Sequence, residues 1–409
     1  MCSCKRLLYA AFDVVPAPKG ASRHITHFTQ ALVQAGYEVT LITAGVQGLP
    51  AEDHYAGARM IRIQDEEPNF LRRAIRFGDA VWEHLRLERG RYDLVHFRDI
   101  WSGGAAVAAK ERFGYSYVTL FEANGLPSVE LKYHYPALVG SDLPDRLRRQ
   151  ERQLLGQVEA VVCVSAVTAI YLRSLGAAAD QVTVIHNGVD PASFPRAEGP
   201  PAYPPRLVYV GTLAPWQGVD TVLRAMPTIL GYFAEAELHL IGPTKRRQGR
   251  WLAKLARKLD LDETNVYFHE AIDPEMVAEQ LGAATICLAP LALNDRNISQ
   301  GCCPIKLLEY AAVGRPILAG DLPVARELLG EDEACFFPPD DAEACARRVM
   351  QLLLDNEAAI EMGERAADRI RKEFTWQRSG QRLVTLYRQL LPQAAVRTKP
   401  TVRSLPERV

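Results

Sequence analysis

The residues best suited to chemistry lie in one segment of the second half of the chain, 296–314. Pro304 favours the first position of a helix and Gly314 favours the residue just past its end, so the pattern predicts a helix of about three turns. The first backbone N–H groups of such a helix have no partner within it and form a site for a phosphate group. These groups belong to Ile305, Lys306 and Leu307, and the Lys306 ammonium adds a cation.

Glu309 lies little more than one turn into the same predicted helix. A carboxylate accepts hydrogen bonds side by side, so Glu309 could bind the vicinal hydroxyls of a ribose. Together with a diphosphate at the helix start, the pattern indicates a nucleotide site. The alternative is an ordinary capped helix on which Lys306 and Glu309 are only solvated.

A second candidate phosphate site lies near the amino terminus. The loop 16–24 follows an apolar stretch and opens a helical pattern, and Gly20 with Ala21 would let a phosphate approach backbone N–H groups. The alternative is a glycine that serves only a tight turn.

Three more polar residues are expected at the carboxyl ends of strands, where open parallel sheets bind their ligands. His96 could donate to a substrate hydroxyl, although a histidine at a strand end is often only a hydrogen-bonded core residue. Glu122 and Asn124 follow a strand predicted at 117–121, and a carboxylate there is rarely buried unless it is paired. We expect these three side chains to act in catalysis or in substrate binding.

Cations are clustered in a segment that begins at Lys245, where helical spacing places them on one face. Such a face is commonly only solvated, but Lys245–Arg247 follow a strand end and could neutralise an anionic donor or contact an anionic membrane. Basic clusters of the first half are Arg72, Arg73 and Arg76, and Arg146, Arg148, Arg149 and Arg152. Asp260 and Asp262 have no further carboxylate or histidine beside them, so we predict no metal site.

These residues depend on a framework of alternating strands and helices. Short β-branched runs alternate with helical patterns in both halves, which predicts an α/β fold of two doubly wound domains with parallel sheets. The six prolines of 191–205 indicate a semi-rigid linker. We therefore expect a first domain at 1–190, a second at 206–374, and a disordered tail at 394–409.

The composition excludes several classes of protein. The 409 residues are 48% hydrophobic and 24% charged, which is typical of a globular chain. A formal charge of -1 leaves no overall basic excess for binding nucleic acid. Neither a signal peptide nor a membrane span is predicted, and the eight cysteines form no disulfide framework. We expect a cytoplasmic protein, with peripheral contact to the inner face of the membrane through the basic clusters.

Motifs along nearly the whole chain resemble the retaining family-4 glycosyltransferases. They are the glycine turn at Gly20, Tyr92–His96, Val162–Ser165, Val184–Asp190, Val210–Leu213, Leu240–Gly242, Pro304–Pro316 and Phe374–Trp376. The resemblance implies GT-B architecture, in which two Rossmann-like domains face a central cleft and the last helix, here 375–393, crosses back to the first domain. It also implies transfer of a sugar from a nucleotide-sugar donor, UDP- or GDP-linked, to an acceptor such as a lipid-linked glycan. Configuration would be retained, with no cofactor and no obligatory metal.

The resemblance assigns roles to single residues. Glu309 matches the second glutamate of the family's E-x7-E motif and would bind the donor ribose, while the N–H groups of 305–307 would hold the diphosphate. Gly20 and Ala21 match the loop near the distal phosphate and the sugar. Gly211 and Thr212 match the glycine loop of the second domain, which also contacts the donor.

Three departures from the family pattern concern its catalytic residues. Gly301 replaces the first glutamate of E-x7-E, Thr212 and Gln217 replace the Arg and Lys of the second glycine loop, and Phe121 replaces a histidine. We expect the missing positive charge to come from Lys306, Arg296 and Lys245–Arg247, and the sugar contacts from Glu122 or Asn124. Two alternatives remain open: a sugar-nucleotide epimerase of the same architecture, and a non-catalytic relative that binds sugar nucleotides.

Overall fold

A computed structural model describes residues 4–201 and 203–391. In these ranges fourteen strands form an eight-stranded and a six-stranded sheet, which confirms the predicted α/β fold with two Rossmann-like sheets. The strands are β1 (Arg6–Val14), β2 (Glu38–Ala44), β3 (Glu52–Tyr55), β4 (Ala58–Ile63), β5 (Leu94–Phe97), β6 (Val118–Ala123), β7 (Ala160–Cys163), β8 (Val182–Val184), β9 (Arg206–Val210), β10 (Glu237–Ile241), β11 (Val266–His269), β12 (Ile286–Ala289), β13 (Ile317–Gly320) and β14 (Cys335–Phe337).

Helices alternate with these strands. They are α1 (Gly20–Gln34), α2 (Phe70–Glu88), α3 (Ile100–Phe113), α4 (Pro127–His134), α5 (Leu143–Leu155), α6 (Ala166–Ser174), α7 (Val219–Leu230), α8 (Arg246–Lys258), α9 (Pro274–Gly282), α10 (Ile305–Val313), α11 (Pro323–Arg326), α12 (Ala342–Leu354), α13 (Asn356–Glu373) and α14 (Trp376–Leu390). Not one helix of the described ranges has the length and apolar character needed to cross a membrane.

The first sheet has the order β3-β4-β2-β1-β5-β6-β7-β8, and its strands are parallel except for the β3–β4 pair. Strand β1 lies near the middle, and Leu7–Ala11 are fully buried. Successive side chains of β1 enter different apolar clusters, Leu8 on one face of the sheet and Leu7 on the other, because side chains alternate along a strand. Burial on both faces explains why the strand is continuously hydrophobic.

The second sheet has the order β11-β10-β9-β12-β13-β14 and is parallel where its pairings are given. The order reverses direction at β9, between β10 and β12. In open α/β sheets such a switch point leaves a crevice at the carboxyl ends of the strands, where ligands bind. Lys306 and Gly211 both lie at this crevice, because β9 ends at Val210 and α10 follows the loop after β12.

Helix α14 returns from the second domain and packs on the first. Its buried side chains, including Leu383 and Tyr387, join the cluster that contains Ile25 and Phe28 of α1. Gly380 permits the close approach, since a Cβ there would lie 2.5 Å from the Cβ of Ala31. The tail predicted at 394–409 and the last residues of the predicted helix 375–393 lie outside the described residues.

Local details differ from the sequence-based expectation. Strand β3 was not predicted because its residues, Glu52–Tyr55, are polar and partly exposed; a tight turn at Ala56 and Gly57, with φ of 54° and 82°, pairs it with β4. Pro304 caps α10 rather than occupying its first turn, and Gly314 ends the helix with φ 82°. Glu122 lies within β6 and not after it, whereas His96 lies near the carboxyl end of β5, as predicted.

Candidate active site

The amino-terminal ends of α1 and α10 face each other between the two sheets. A Cβ on Gly20 would lie 3.1 Å from Cδ1 of Ile305, so the two predicted phosphate loops are brought together. The carboxylate of Glu309 is nearly buried and forms an ion pair with Arg23 of α1. Burial raises the pKa of Glu309, and Arg23 opposes that shift.

Lys306 lies against the glycine loop of the second domain. Its Nζ donates to the hydroxyl of Tyr209 and to Oε1 of Gln217, each at 2.7 Å, and lies 4.0 Å from the centre of the Tyr209 ring. A Cβ on Gly211, whose φ is 144°, would lie 2.8 Å from this nitrogen. Burial lowers the pKa of Lys306 to about 7. The ammonium therefore approaches the loop from which the family's usual cations are absent.

Glu122 is fully buried at the centre of a polar network in the first domain. Its Oε1 lies 2.7 Å from Nε2 of His24 and 3.2 Å from Nε of Arg98, and its Oε2 accepts from Tyr9 at 2.7 Å. Asn124 also donates to the carboxylate. Burial alone would raise the pKa of Glu122, but His24 and Arg98 hold it well below its usual range.

His96 is fully buried in the same network. Its Nε2 lies 3.0 Å from Oε2 of Glu122, and its Nδ1 lies 2.7 Å from the hydroxyl of Tyr387 in α14. Burial lowers the pKa of His96, so the ring is neutral and accepts from Tyr387. His96 and Glu122 thus lie behind the cleft wall, and the catalytic roles predicted for them stay predictions.

His24 connects this network to the second domain. Its Nδ1 lies 2.7 Å from Oδ1 of Asn187, whose Nδ2 donates to the carbonyl of Cys303, just before α10. The bond to Cys303 orients the amide, so both ring nitrogens of His24 face acceptor oxygens. A chain of polar contacts therefore runs from Glu122 to the start of α10.

The other predicted donor cations are engaged between the domains. Arg296 donates to Glu130 at 3.1 Å and lies 5.5 Å from the ring of Trp216. Lys245 donates to the carbonyl of His134 at 3.3 Å. Thr212 accepts from Tyr209 through its carbonyl at 2.7 Å. These contacts differ from those of Lys306, whose Nζ would lie 2.8 Å from a Cβ on Gly211.

Two of the departures from the family pattern have visible physical causes. Gly301 has φ 79° and ψ 169°, a region that glycine alone occupies readily, and a Cβ there would lie 2.8 Å from the backbone nitrogen of Thr168. A glutamate does not fit this backbone. Phe121 is buried and stacks on Phe97, so it completes the core of the first domain.

A cavity of about 890 Å³ opens beside the network. Its walls come mainly from the first domain, with Lys245 from the second; they include Phe12, Asp13, Arg98, Trp101, Tyr135 and Lys245. Arg98 connects the cavity to the site, because its Nη1 donates to the carbonyl of Ala21 at 3.2 Å while its Nε contacts Glu122.

Arg23, His24, Asn187 and Arg98 were not predicted from the sequence. Each acts on a partner far along the chain: Arg23 and Glu309, for example, are separated by 286 residues. Local spacing carries no signal for such pairs. The position of His24 and Arg23 in the first turns of α1, directly after the glycine loop, was the one available indication.

Comparison with known proteins identifies the family. Residues 18–193 match the model described as Glycosyltransferase Family 4, and residues 204–355 match Glycosyl transferases group 1. A glycogen synthase of Mycobacterium tuberculosis is 24% identical over 91% of this chain and 92% of its own length. A phosphatidyl-myo-inositol mannosyltransferase of Mycolicibacterium smegmatis is 23% identical over 92% of this chain and 91% of its own length. A solved structure of Anabaena HepE with UDP and glucose, 12% identical, covers 94% of this chain and 100% of that one with a TM-score of 0.73.

These relatives are named as a synthase and a transferase, which disfavours the epimerase alternative. A likeness that covers 94% of this chain is too extensive to be confined to one of the two sheets. Together the two family models span most of the chain, in the order that the sequence motifs predict. The chain therefore belongs to glycosyltransferase family 4 and is a glycosyltransferase with the GT-B fold.

Proposed function

We propose that the protein transfers a sugar from a UDP- or GDP-sugar to a glycan or lipid-linked acceptor, with retention of configuration and without an obligatory metal. The observation that carries the proposal is the start of α10, where Ile305 meets Gly20 of α1, Lys306 lies against Gly211, and Glu309 pairs with Arg23 of α1. The UDP found in the Anabaena structure supports a nucleoside diphosphate as the leaving group. We place the reaction in the cytoplasm, at the inner face of the membrane.

The donor's diphosphate would lie on the N–H groups of residues 305–307 and beside Nζ of Lys306, with its ribose on Glu309. The ribose would then either share the Glu309 carboxylate with Arg23 or displace Arg23 from it. As the bond between the sugar and the phosphate oxygen breaks, negative charge grows on the diphosphate. Fixed N–H dipoles and the ammonium stabilise that charge more in the transition state than in the ground state.

Glu122 is fully buried, so it is not placed to attack the sugar as a nucleophile. We therefore favour a front-face route. The acceptor oxygen forms the new bond to the anomeric carbon on the side from which the phosphate leaves, and the acceptor's proton passes to the leaving phosphate oxygen. Glu122 acts as a positioning residue in this scheme, because it holds Arg98 and His24.

The cavity beside Arg98 would hold the acceptor. Its volume of about 890 Å³ is in the range of small-molecule sites. Phe12 and Trp101 offer apolar surfaces for the faces of sugar rings, and Asp13 offers a carboxylate for hydroxyl groups. The relatives named above act in glycogen and in phosphatidyl-inositol mannoside synthesis, so a sugar or a lipid-linked sugar suits this cavity.

A donor screen tests the proposal. The protein is incubated with UDP-, GDP-, ADP- and TDP-sugars while thermal stability and nucleotide release are followed. We expect one donor to stabilise the fold, because a ligand that binds only the native state raises its stability. The effect should be lost in Lys306→Ala and Glu309→Ala and kept in Lys372→Ala and Glu111→Ala, which change exposed residues on α13 and α3.

Further measurements separate the remaining alternatives. The anomeric configuration of the product, read by NMR, decides retention, and activity after treatment with a chelator decides the need for a metal. A changed sugar nucleotide in the absence of any acceptor would indicate an epimerase. Stabilisation without turnover on any acceptor would indicate a non-catalytic relative, and no stabilisation by any donor would refute the assigned site.

A further inference from the structure

Helix α8 presents an unusually uniform charge to the solvent. The segment 245–259 contains seven cations and no acidic residue. Six of them lie on exposed positions of α8: Arg246, Arg247, Arg250, Lys254, Arg257 and Lys258. The opposite side of the helix, with Leu252 and Leu255, is buried in the apolar core of the second domain. The cationic face is therefore a fixed surface of a folded helix.

Four of these cations form one row. Arg246, Arg250, Lys254 and Lys258 follow each other at intervals of four residues, and like charges at this spacing destabilise a helix. No side chain of the six forms a hydrogen bond or an ion pair with another residue of the described ranges. Most arginines elsewhere in those ranges are paired, such as Arg326 with Asp321 at 2.6 Å. The row is thus left with its charge unneutralised by the protein itself.

Apolar side chains accompany these cations. Trp251 of α8 is 43% exposed. Across the domain boundary, Tyr135 and Val139 are 42% and 68% exposed, and Lys245 links the two parts, since its Nζ lies 6.0 Å from the centre of the Tyr135 ring. Lys245 and Tyr135 also line the acceptor cavity. Lys245, directly before the cationic helix, and Tyr135 therefore connect this surface to that cavity.

We propose that the exposed face of α8, together with residues 135–139, binds a bilayer that contains anionic phospholipid. Cations would contact the headgroups, and Trp251, Tyr135 and Val139 would enter the interfacial layer, where amphipathic rings are favoured. The location of this surface beside the cavity favours lipid over nucleic acid, because it would bring a membrane-borne acceptor to the cleft. This last step rests on the proposed function; the binding of lipid does not.

The size of the effect follows from the charges. A cation near an anionic bilayer contributes about 1 kcal/mol, or roughly a fivefold change in partitioning. Neutralising three cations of the row should therefore weaken binding by about a hundredfold. The triple variant Arg250→Gln, Lys254→Gln, Lys258→Gln keeps side chains that favour a helix. The matched control is Arg378→Gln, Arg382→Gln, Arg388→Gln, three exposed arginines of α14.

The experiment is co-sedimentation of the full chain with vesicles of phosphatidylcholine alone and of equal parts phosphatidylcholine and phosphatidylglycerol. We expect binding to the anionic vesicles that weakens with salt, is lost in the α8 triple variant and is kept in the α14 control. A blue shift of fluorescence on binding should be smaller in Trp251→Phe. Equal binding to both vesicles, equal loss in both triple variants, or tighter binding to duplex DNA than to the anionic vesicles would overturn the proposal.

Thermal stability with the donor serves as the separate control. If the α8 variant still gains stability from the sugar nucleotide but no longer sediments, the lipid surface is established independently of the active site. If the wild-type protein sediments but no donor binds, the lipid surface stands and the proposed function fails.

Discussion

Donor binding should depend on pH through Lys306. Burial holds the pKa of this ammonium at about 7 in the free protein. A diphosphate beside Nζ favours the charged form, so the pKa in the complex should rise toward the ordinary lysine value near 10.4. The lysine then takes up a proton when the donor binds. From a free pKa of about 7, the uptake is about half a proton at pH 7 and about nine tenths at pH 8.

The sign of the effect on affinity follows. Below pH 7 the lysine is already protonated, so the donor binds at full affinity; above pH 7 each pH unit costs about a factor of ten, until the pKa of the complex is reached. Two neighbouring groups have raised pKa values: burial raises that of Glu309 and also that of the Cys302 thiol. The thiol therefore stays protonated near pH 8 and adds nothing to the uptake.

Isothermal titration calorimetry at pH 8 in phosphate and in Tris measures the uptake, because the two buffers differ in enthalpy of ionisation. A sugar nucleotide is the correct ligand, since the terminal phosphate of a free nucleoside diphosphate itself titrates near pH 6. We expect an enthalpy difference for the wild-type protein that vanishes in Lys306→Met. The same enthalpy in both buffers for the wild type, or an unchanged difference in the variant, would refute the reasoning.

Three more predictions concern residues around the cleft. Glu122→Gln removes the charge that pairs with the buried Arg98, so the free energy of unfolding, measured by thermal and urea denaturation, should fall by about 3–5 kcal/mol. The control Glu111→Gln, at an exposed position, should lower it by less than about 0.5 kcal/mol. A loss below about 1 kcal/mol in Glu122→Gln would contradict the network. Gly301→Glu should lower the free energy of unfolding by about 1–3 kcal/mol, measured by denaturation. It should not raise turnover, although it restores the first glutamate of the family's E-x7-E motif. Arg23→Ala should tighten donor binding by up to about fivefold, because the guanidinium competes with the ribose for Glu309; tenfold weaker binding in a titration would show instead that Arg23 binds the donor.

The main features of the fold could be predicted because they depend on local patterns. Apolar runs of about five residues, separated by helical patterns, indicate parallel strands wherever they occur. Helix α10 was predicted from Pro304 and Gly314, and it begins within one residue of the expected position. Strand β3 was not predicted, because a polar edge strand such as Glu52–Tyr55 carries no hydrophobic signal.

The candidate site could be predicted only in part. The helix starts at Gly20 and Ile305 were predicted because glycine and proline signals are local. Phosphate binding at these starts, and the donor roles of Lys306 and Glu309, stay predictions. Their actual partners were not found. Glu122 was expected at the end of a strand and exposed to substrate, but it lies inside β6, where the side chain is enclosed by three other elements.

The sequence by itself determined most of the strands and helices, the helix starts at Gly20 and Ile305, and the family to which the chain belongs, since each depends on residues close together in the chain. Only the tertiary structure decided how charge is distributed among them. Arg23 reaches Glu309, and Lys306 reaches Gln217, across 286 and 89 residues. A charge buried at such a contact acquires its partner, and so its protonation state, from the packing of domains and not from its neighbours in the chain.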